Sequence, residues 1–380
     1  MQTDADFSTE QVQIFSEKLK KLLRARPDLR ARYSNARRLQ KIALHNASIE
    51  LTNKCNLFCE GCFFFEGDKS ALEREEEDLR KWEDLFKRLA ASGIKHANLA
   101  GAEPALQTAR IEAAARHIPH GLVYTNGTIQ IPRHIPYAIL ISVWGNEAQT
   151  AELRGGNHLA KSIRLYRDDP RASFVFTVSK QNLTSVEEVT KQLTGDGLRV
   201  IFNIFSPTES YTKKIKAGAG NDNRFFRFST EDRNMMLTAE DLEQVRGKMD
   251  EMIDLYPGQV FPTKAYNKRA LGSELIYQLD GNGIATNCAG SNANPYYQLY
   301  ATDGSPNRNK CCTPNVDCST CRLWAPGIAT LMFRVEEAVQ SEQAFIDWIE
   351  YCETWGKLMM FEHELTPDGS PAPPRQPEAV

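Results

Sequence analysis

Three cysteines within eight residues constrain this chain more than any other feature of its sequence. The segment CNLFCEGC places Cys55, Cys59 and Cys62 in a C-x3-C-x2-C spacing, and the nearest histidine, His45, lies ten residues upstream. Structural zinc takes four protein ligands and catalytic zinc usually includes His, whereas iron–sulfur clusters are held by thiolates, normally four. Three thiols on one short loop therefore predict a 4Fe–4S cluster with one iron left open for another molecule.

The remaining cysteines strengthen the prediction of bound metal. The chain has nine cysteines, an odd number that rules out a complete disulfide framework. Scattered core cysteines would not group as these do: besides the first set, five lie in a 34-residue stretch and one stands alone. The five are Cys288, Cys311, Cys312, Cys318 and Cys321, and the isolated one is Cys352.

Composition and charge limit the kinds of binding partner and the cellular compartment that the sequence predicts. A net charge of −3 over 380 residues gives no electrostatic footprint for nucleic acid or for an anionic membrane. The first residues, MQTDADFSTEQ, do not form a signal peptide, and the longest apolar runs, such as AILISVW, are too short to span a bilayer. The sequence therefore predicts a cytoplasmic protein with no nucleic-acid or membrane partner.

A repeating strand–helix pattern sets the expected fold. Apolar strands alternate with amphipathic helices six times from residue 46 onward, which predicts a parallel sheet with right-handed crossovers. The fold class is α/β: a partial (β/α)6 TIM-like barrel followed by a small cysteine-rich α+β domain. The expected units are a helical segment at 1–45, the barrel at 46–211, a connecting segment at 212–286, the cysteine-rich domain with a C-terminal helix at 287–365, and a proline-rich disordered tail at 366–380.

Unusual residues follow the predicted strands at their carboxyl ends, where barrels of this kind collect their chemistry. The first strand leads into the cysteine loop, and the second ends in GAEP, residues 101–104. The third ends in TNG with Asn126, the fourth in ISVWG with Ser142, and the fifth in VSKQN with Asn182. Each of these is also an ordinary turn residue. Together with the cysteine loop they predict one site.

On these residues the chain resembles the radical S-adenosylmethionine (SAM) enzymes, whose signature is C-x3-C-x2-C after the first strand of a partial barrel. The resemblance covers about residues 46–210. It implies that Cys55, Cys59 and Cys62 hold a 4Fe–4S cluster whose fourth iron is chelated by the amino and carboxylate groups of SAM. A reduced cluster of this kind cleaves SAM to methionine and a 5′-deoxyadenosyl radical, which takes a hydrogen atom from a C–H bond.

The resemblance also implies a set of SAM contacts, with two departures from the family pattern. Ala102 replaces a glycine of the family's GGEP segment, and Gly61 stands where an aromatic residue often precedes the third cysteine. Glu103 is expected to accept hydrogen bonds from the methionine amino group, and Gly61 to meet adenine through its backbone. Phe63 to Phe65 are expected either to shield the cluster or to belong to the core. The full cofactor-binding set is Gly61, Gly101, Ala102, Glu103, Asn126, Ser142 and Arg154.

The second cysteine set resembles the auxiliary-cluster domain called SPASM, or its shortened twitch form, with a hairpin turning at Asp303-Gly304. Four thiolates suffice for one auxiliary 4Fe–4S cluster, assigned to Cys288, Cys312, Cys318 and Cys321, with Cys311 as the competitor for Cys312. Zinc is the alternative occupant, since four cysteines ending in C-x2-C also suit zinc. Cys352 and the unassigned Cys311 are hypothetical hydrogen-atom donors, and for Cys352 a buried inert thiol is the competing interpretation.

The expected activity is that of an oxidoreductase acting on a substrate radical. An auxiliary cluster that accepts an electron makes the reaction an oxidation, whereas hydrogen return from a thiol gives epimerisation. The favoured substrate is a small natural-product intermediate such as a sugar or aminocyclitol, and the electron donor a flavodoxin or ferredoxin. Maturation of a ribosomally made peptide is the first alternative. The second is a non-enzymatic protein that uses both cysteine sets for structural metal.

Overall fold

A single parallel sheet forms the centre of the protein. The computed structural model describes residues 9–66, 74–220, 224–292, 294–313 and 315–362. The strands are β1 (Asn46–Glu50), β2 (His96–Ala100), β3 (His120–Thr125), β4 (Ala138–Val143), β5 (Ala172–Val178), β6 (Arg199–Ile204), β7 (Val260–Phe261) and β8 (Tyr297–Tyr300). Their order is β7-β6-β5-β4-β3-β2-β1-β8, with every pair parallel, and β7 and β8 are not paired with each other. The prediction of an α/β partial barrel is confirmed.

Helices surround this sheet. They are α1 (Thr9–Ala25), α2 (Arg30–Leu44), α3 (Leu79–Ala91), α4 (Thr108–His117), α5 (Glu147–Arg154), α6 (Leu159–Tyr166), α7 (Val186–Gly195), α8 (Glu209–Lys216), α9 (Ala239–Leu255), α10 (Lys264–Ala270), α11 (Trp324–Met332), α12 (Val335–Ala338) and α13 (Glu342–Met359). Among the described residues, no helix is long and apolar enough to cross a membrane.

The six predicted strands are β1 to β6. They could be predicted from their apolar residues because these residues are buried in the fold. All seven residues of β5 are buried, as expected for a central strand of a sheet covered on both faces. In β1, Ala47 and Ile49 are fully buried, whereas Glu50 at the carboxyl end is partly exposed. β1 is therefore buried along its middle and partly exposed only at its two ends.

Two edge strands lie outside the predicted barrel. β7 belongs to the segment expected to be a connection, and β8 belongs to the cysteine-rich segment but pairs in parallel with β1, with Ser48 opposite Leu299. The sheet thus has eight strands rather than six, and it crosses the predicted domain boundaries. The predicted hairpin follows β8: the Gly304 N–H donates to the Ala301 carbonyl at 2.9 Å, and Tyr300 bridges Pro306 in antiparallel fashion.

The N-terminal helical segment contributes to the hydrophobic core. Ala36, Leu39 and Ala43 of α2 are buried in the main hydrophobic core. The helix packs against α13, where Arg32 and Glu353 form an ion pair at 2.7 Å. The predicted tail at 366–380 lies outside the described residues.

Candidate functional site

The first cysteine loop leaves the carboxyl end of β1 and is tied to the end of α5. The Phe58 N–H donates to the Arg154 carbonyl at 3.1 Å, and the Glu60 N–H donates to the Leu153 carbonyl at 2.8 Å. Helix α5 ends at this point because Gly155 adopts a left-handed conformation with φ of 72°. All three cysteines of the loop are free and partly buried. The loop therefore presents its thiols from a backbone fixed at two points.

Polar side chains from neighbouring elements approach the sulfurs of this loop. Arg154 Nε lies 3.4 Å from Cys59 Sγ, and Asn126 Nδ2 lies 4.0 Å from Cys55 Sγ. Burial, followed by the nearby Cys59, raises the pKa of Cys62 to about 12. The metal-free thiol of Cys62 is therefore protonated at neutral pH, and a metal centre would bind with release of its proton. The Arg154 guanidinium and the Asn126 amide are hydrogen-bond donors. They would stabilise the negative charge that the sulfurs carry when they bind a metal centre.

The GAEP segment runs beside the start of the cysteine loop. The Ala102 N–H donates to the Thr52 carbonyl at 2.9 Å, and the Glu103 N–H donates to the Lys54 carbonyl at 3.0 Å. Gly101 has φ of 123°, and a Cβ at this position would meet the Thr52 carbonyl oxygen at 2.8 Å. Only glycine fits there, whereas the alanine at the next position is accommodated, which explains the departure from a double glycine.

Glu103 is 1% exposed and already has three partners in the protein. Its carboxylate accepts hydrogen bonds from Thr125 Oγ1 at 2.6 Å, the Asn126 N–H at 2.7 Å and the Ala105 N–H at 2.9 Å. Burial raises the pKa of Glu103, although these hydrogen bonds act to lower it. An ionised carboxylate has about four acceptor positions, so about one is left for an amino group. The expected role is compatible with this geometry.

Arg154 has more contacts within the protein than its expected role as a SAM ligand requires. Besides Cys59, the guanidinium contacts the Ser142 carbonyl and His158 Nε2, and it lies 5.9 Å from the Trp144 ring centroid. Burial and the adjacent Arg154 charge lower the pKa of His158 to about 4, so the imidazole is neutral at physiological pH. Nε and Nη1 thus have protein partners, and within the described part of the chain Nη2 is left for an anionic group of a ligand.

Asn126 and Gly61 also have defined positions. Asn126 Nδ2 donates to Asn56 Oδ1 at 2.7 Å, which ties the end of β3 to the cysteine loop. Gly61 has φ of 62°, and its N–H donates to the Phe225 carbonyl at 2.8 Å. A Cβ on Gly61 would meet the Phe205 ring at 2.9 Å, so an aromatic residue cannot stand there without moving that ring.

A segment that sequence analysis treated only as a connection covers the loop. Glu60 is fully buried, and its carboxylate accepts hydrogen bonds from the Arg227 N–H at 2.8 Å and the Ser229 N–H at 3.2 Å. The Phe225 ring stacks on Phe65 with centroids 4.5 Å apart. Phe63, by contrast, is 47% exposed. The aromatic residues of RFFRFSTEDR are apparent in the sequence. That the Glu60 carboxylate is buried against this segment can be seen only in the structure.

The second cysteine set surrounds one cavity. All five thiols line it, together with Tyr277, Lys310 and residues of the adjoining turns. Burial raises the pKa of Cys312 to about 12 and that of Cys321 to about 11, so these thiols too are protonated without metal. The Cys311 sulfur lies 3.6 Å from Thr313 Oγ1. Because both Cys311 and Cys312 reach the cavity, the choice between them as a ligand stays a prediction.

The arrangement of the thiols bears on what they could hold. Within the described ranges, no three His, Cys, Asp or Glu side chains lie close enough together to hold a single metal ion. Tetrahedral zinc with Zn–S bonds of about 2.3 Å needs sulfurs roughly 3.8 Å apart. A 4Fe–4S cluster binds each thiolate through a different iron, so its ligand sulfurs stand farther apart. The assignment of a cluster to each set stays a prediction.

Cys352 belongs to α13 rather than to either cysteine-rich segment. Its side chain is fully buried on α13 within the main hydrophobic core, and burial raises the pKa of its thiol. These surroundings match the competing interpretation of Cys352 as an inert core residue.

Structural comparison connects this geometry to known proteins. SuiB from Streptococcus suis aligns with a TM-score of 0.50 at 15% identity, over 70% of this chain and 60% of that one. This is the fold of the radical SAM enzymes. The aligned part is less than two thirds of SuiB. No family model and no curated protein matches the chain.

Further solved structures resemble the chain less closely. The anSMEcpe protein with bound S-adenosylmethionine aligns with a TM-score of 0.48 at 14% identity, over 82% of this chain and 87% of that one. The same protein was also solved with S-adenosylmethionine and the Kp18Cys peptide, at a TM-score of 0.47, 14% identity, 82% of this chain and 88% of that one.

Proposed function

We propose that this chain is a radical SAM enzyme in which Cys55, Cys59 and Cys62 bind a 4Fe–4S cluster and SAM completes its fourth iron. The observation that carries the proposal is the placement of three partly buried thiols at the carboxyl end of β1, beside the Glu103 carboxylate and the Arg154 guanidinium. When bound, the reduced cluster and SAM supply a 5′-deoxyadenosyl radical that removes a hydrogen atom from a substrate C–H bond.

Residues of the protein would bind SAM and exclude water from the radical reaction. Glu103 has about one acceptor position left for the SAM amino group, and the Nη2 group of Arg154 has no hydrogen-bond partner among the described residues and could meet the SAM carboxylate. The Arg154 contact with Cys59 would stabilise negative charge on a ligand sulfur. Phe58, Phe65 and Phe225 form an aromatic layer against the loop, and such a layer excludes water from a site that handles a radical.

The second set would hold one auxiliary 4Fe–4S cluster through Cys288, Cys318, Cys321 and either Cys312 or Cys311. The shared cavity of the five thiols supports this assignment. A cluster there can accept the electron left on a substrate radical, so the overall reaction is oxidation of a small natural-product intermediate such as a sugar or aminocyclitol. Flavodoxin or ferredoxin would reduce the first cluster, and the reaction would take place in the cytoplasm.

The test is SAM cleavage by the anaerobically reconstituted protein. We expect dithionite-reduced wild type to release 5′-deoxyadenosine, and the variant Cys55→Ala/Cys59→Ala/Cys62→Ala to release none. Its iron content should fall from about eight to about four per chain. Cys352→Ala is the matched control and should keep both values. Colourless protein with zinc in both sets and no SAM cleavage would instead establish the non-enzymatic alternative.

A further inference from the structure

A short hairpin brings a buried tyrosine next to a cysteine of the second set. The segment 278–286 pairs in antiparallel fashion, and the Thr286 N–H donates to the Gln278 carbonyl at 2.8 Å. Tyr277 directly precedes this paired segment, and Cys288 lies two residues beyond it. The two side chains therefore stand at the open end of the hairpin, one on each arm.

Both arms of the hairpin are fixed to the helices that follow the second cysteine set. On one arm, the Ile276 carbonyl accepts a hydrogen bond from Arg334, which directly precedes α12. On the other arm, the Ala289 N–H donates to Thr330 Oγ1 of α11 at 2.9 Å. Because these contacts involve the residue before Tyr277 and the residue after Cys288, they hold the open end of the hairpin in place.

Tyr277 presents a hydrogen-bond donor that the protein leaves unused. Its buried side chain lines the cavity of the five thiols, together with Cys288 and Cys321. Its hydroxyl is buried as well, and it makes no hydrogen bond of good geometry to any residue that the structure describes. Burial raises the pKa of Tyr277, and the neighbouring Cys321 and Cys288 thiols act in the same direction. The hydroxyl therefore keeps its proton and can donate it to an acceptor in the cavity.

A second buried tyrosine near the same thiols shows what is unusual about Tyr277. Burial and the neighbouring Cys321 thiol raise the pKa of Tyr266 too, but its hydroxyl donates to the Trp324 carbonyl at 3.2 Å. Buried hydroxyls normally have such a partner. A protonated thiol is a weak acceptor, whereas a thiolate that binds iron carries negative charge and accepts a strong hydrogen bond. Loading of the cavity with a metal cluster would therefore supply the acceptor that Tyr277 lacks.

We propose that the Tyr277 hydroxyl donates a hydrogen bond to the sulfur of Cys288 or Cys321 when these hold the auxiliary cluster, and that this bond raises the reduction potential of the cluster. The inference rests on the proposed function for the existence of that cluster. A hydrogen bond to a ligand sulfur stabilises the reduced, more negative cluster more than the oxidised one. The cluster thereby becomes a better one-electron acceptor, which an oxidation of the substrate requires.

The experiment measures the potential of the auxiliary cluster by itself. The full chain with all three cysteines of the first set replaced by alanine is reconstituted anaerobically, with and without Tyr277→Phe, and its midpoint potential is obtained from a redox titration followed by EPR. We expect Tyr277→Phe to lower the ratio of reduced to oxidised cluster at a fixed potential about tenfold, which is a shift of about 59 mV for one electron. Tyr266→Phe is the matched control and should leave the potential unchanged, because the Tyr266 hydroxyl already has a backbone acceptor. Replacement of Tyr277 by fluorotyrosine, a stronger donor of nearly the same size, should raise the potential instead.

The outcomes separate this inference from the proposed function. An unchanged potential in Tyr277→Phe, or an equal shift in Tyr266→Phe, overturns the role of the Tyr277 hydroxyl, while about four irons per chain would leave the auxiliary cluster standing. A parent protein without iron would remove that cluster from the proposed function, and this inference with it. If Tyr277→Phe alone lost its iron, the fluorotyrosine protein decides, since a raised potential there supports the hydrogen bond and an unchanged potential overturns it.

Discussion

The two cysteine sets differ in what surrounds their sulfurs. The first set stands on a loop that the protein ties down from outside, through Glu60, Phe225 and the end of α5, and Arg154 and Asn126 approach its sulfurs. The second set encloses a cavity from several sides with five thiols of its own. Three thiols beside polar groups suit a centre shared with another molecule. Five thiols around one cavity suit a centre held by the protein alone.

The largest expected effect tests whether the second set holds a cluster of its own. Replacing Cys288 and Cys321 by alanine should lower iron from about eight to about four per chain while SAM cleavage persists, because the first set is untouched. Iron and sulfide analysis with 5′-deoxyadenosine quantification checks this. Loss of SAM cleavage in this variant would show that the two sets are not independent.

Glu50, at the carboxyl end of β1 between the two regions compared, should make the stability of the protein depend on pH. The folded-state pKa of Glu50, raised to about 7 from 4.5, means that the folded protein binds more protons than the unfolded protein in this window. Stability therefore falls as pH rises from about 4.5 to about 7, by at most roughly 3 kcal/mol. Glu50→Gln should remove this loss, so that the variant is the more stable protein at pH 8 and equal to wild type at pH 4.5. Thermal unfolding at both values checks the sign, and a variant less stable at pH 8 contradicts it.

The support of the first set depends on the buried Glu60 carboxylate. Glu60→Gln weakens the acceptors for two buried N–H groups and should lower the free energy of unfolding by about 2 kcal/mol. Denaturant unfolding measures this, with the exposed Glu17→Gln on α1 as control. If the two substitutions had equal effects, the Glu60 carboxylate would not stabilise the first cysteine loop.

The smallest effect concerns the aromatic layer on the same loop. Phe65→Leu loses the stacked contact with Phe225 and should cost about 1 kcal/mol. Phe63→Leu should be nearly neutral, because that ring is 47% exposed. The same unfolding measurement compares them, and a larger loss for Phe63→Leu would mean that the exposed ring, not the stacked one, secures the loop.

Much of the fold was predictable because its signals are local. The six strands β1 to β6 each carry an apolar run, and the turn at Gly304 follows from an Asp-Gly pair. Helix α5 was missed although Asn146 and Gln149 form a capping box, because its eight residues show weak amphipathic periodicity. The strand before the Asp303-Gly304 turn was predicted as one arm of a hairpin, but its parallel pairing with β1 was not, because β1 lies about 250 positions away and the four residues of β8 do not encode that partner.

The sequence by itself determined the thiol spacing, the strand that leads into it and the grouping of the other five cysteines, since all three are properties of short segments. Only the tertiary structure placed Arg154 beside Cys59, joined the Glu60 carboxylate to Arg227 and Ser229, and buried Glu50 enough to raise its pKa. These contacts join residues that are far apart in the chain. Their burial and partners depend on how strands and helices pack, and no short segment encodes that.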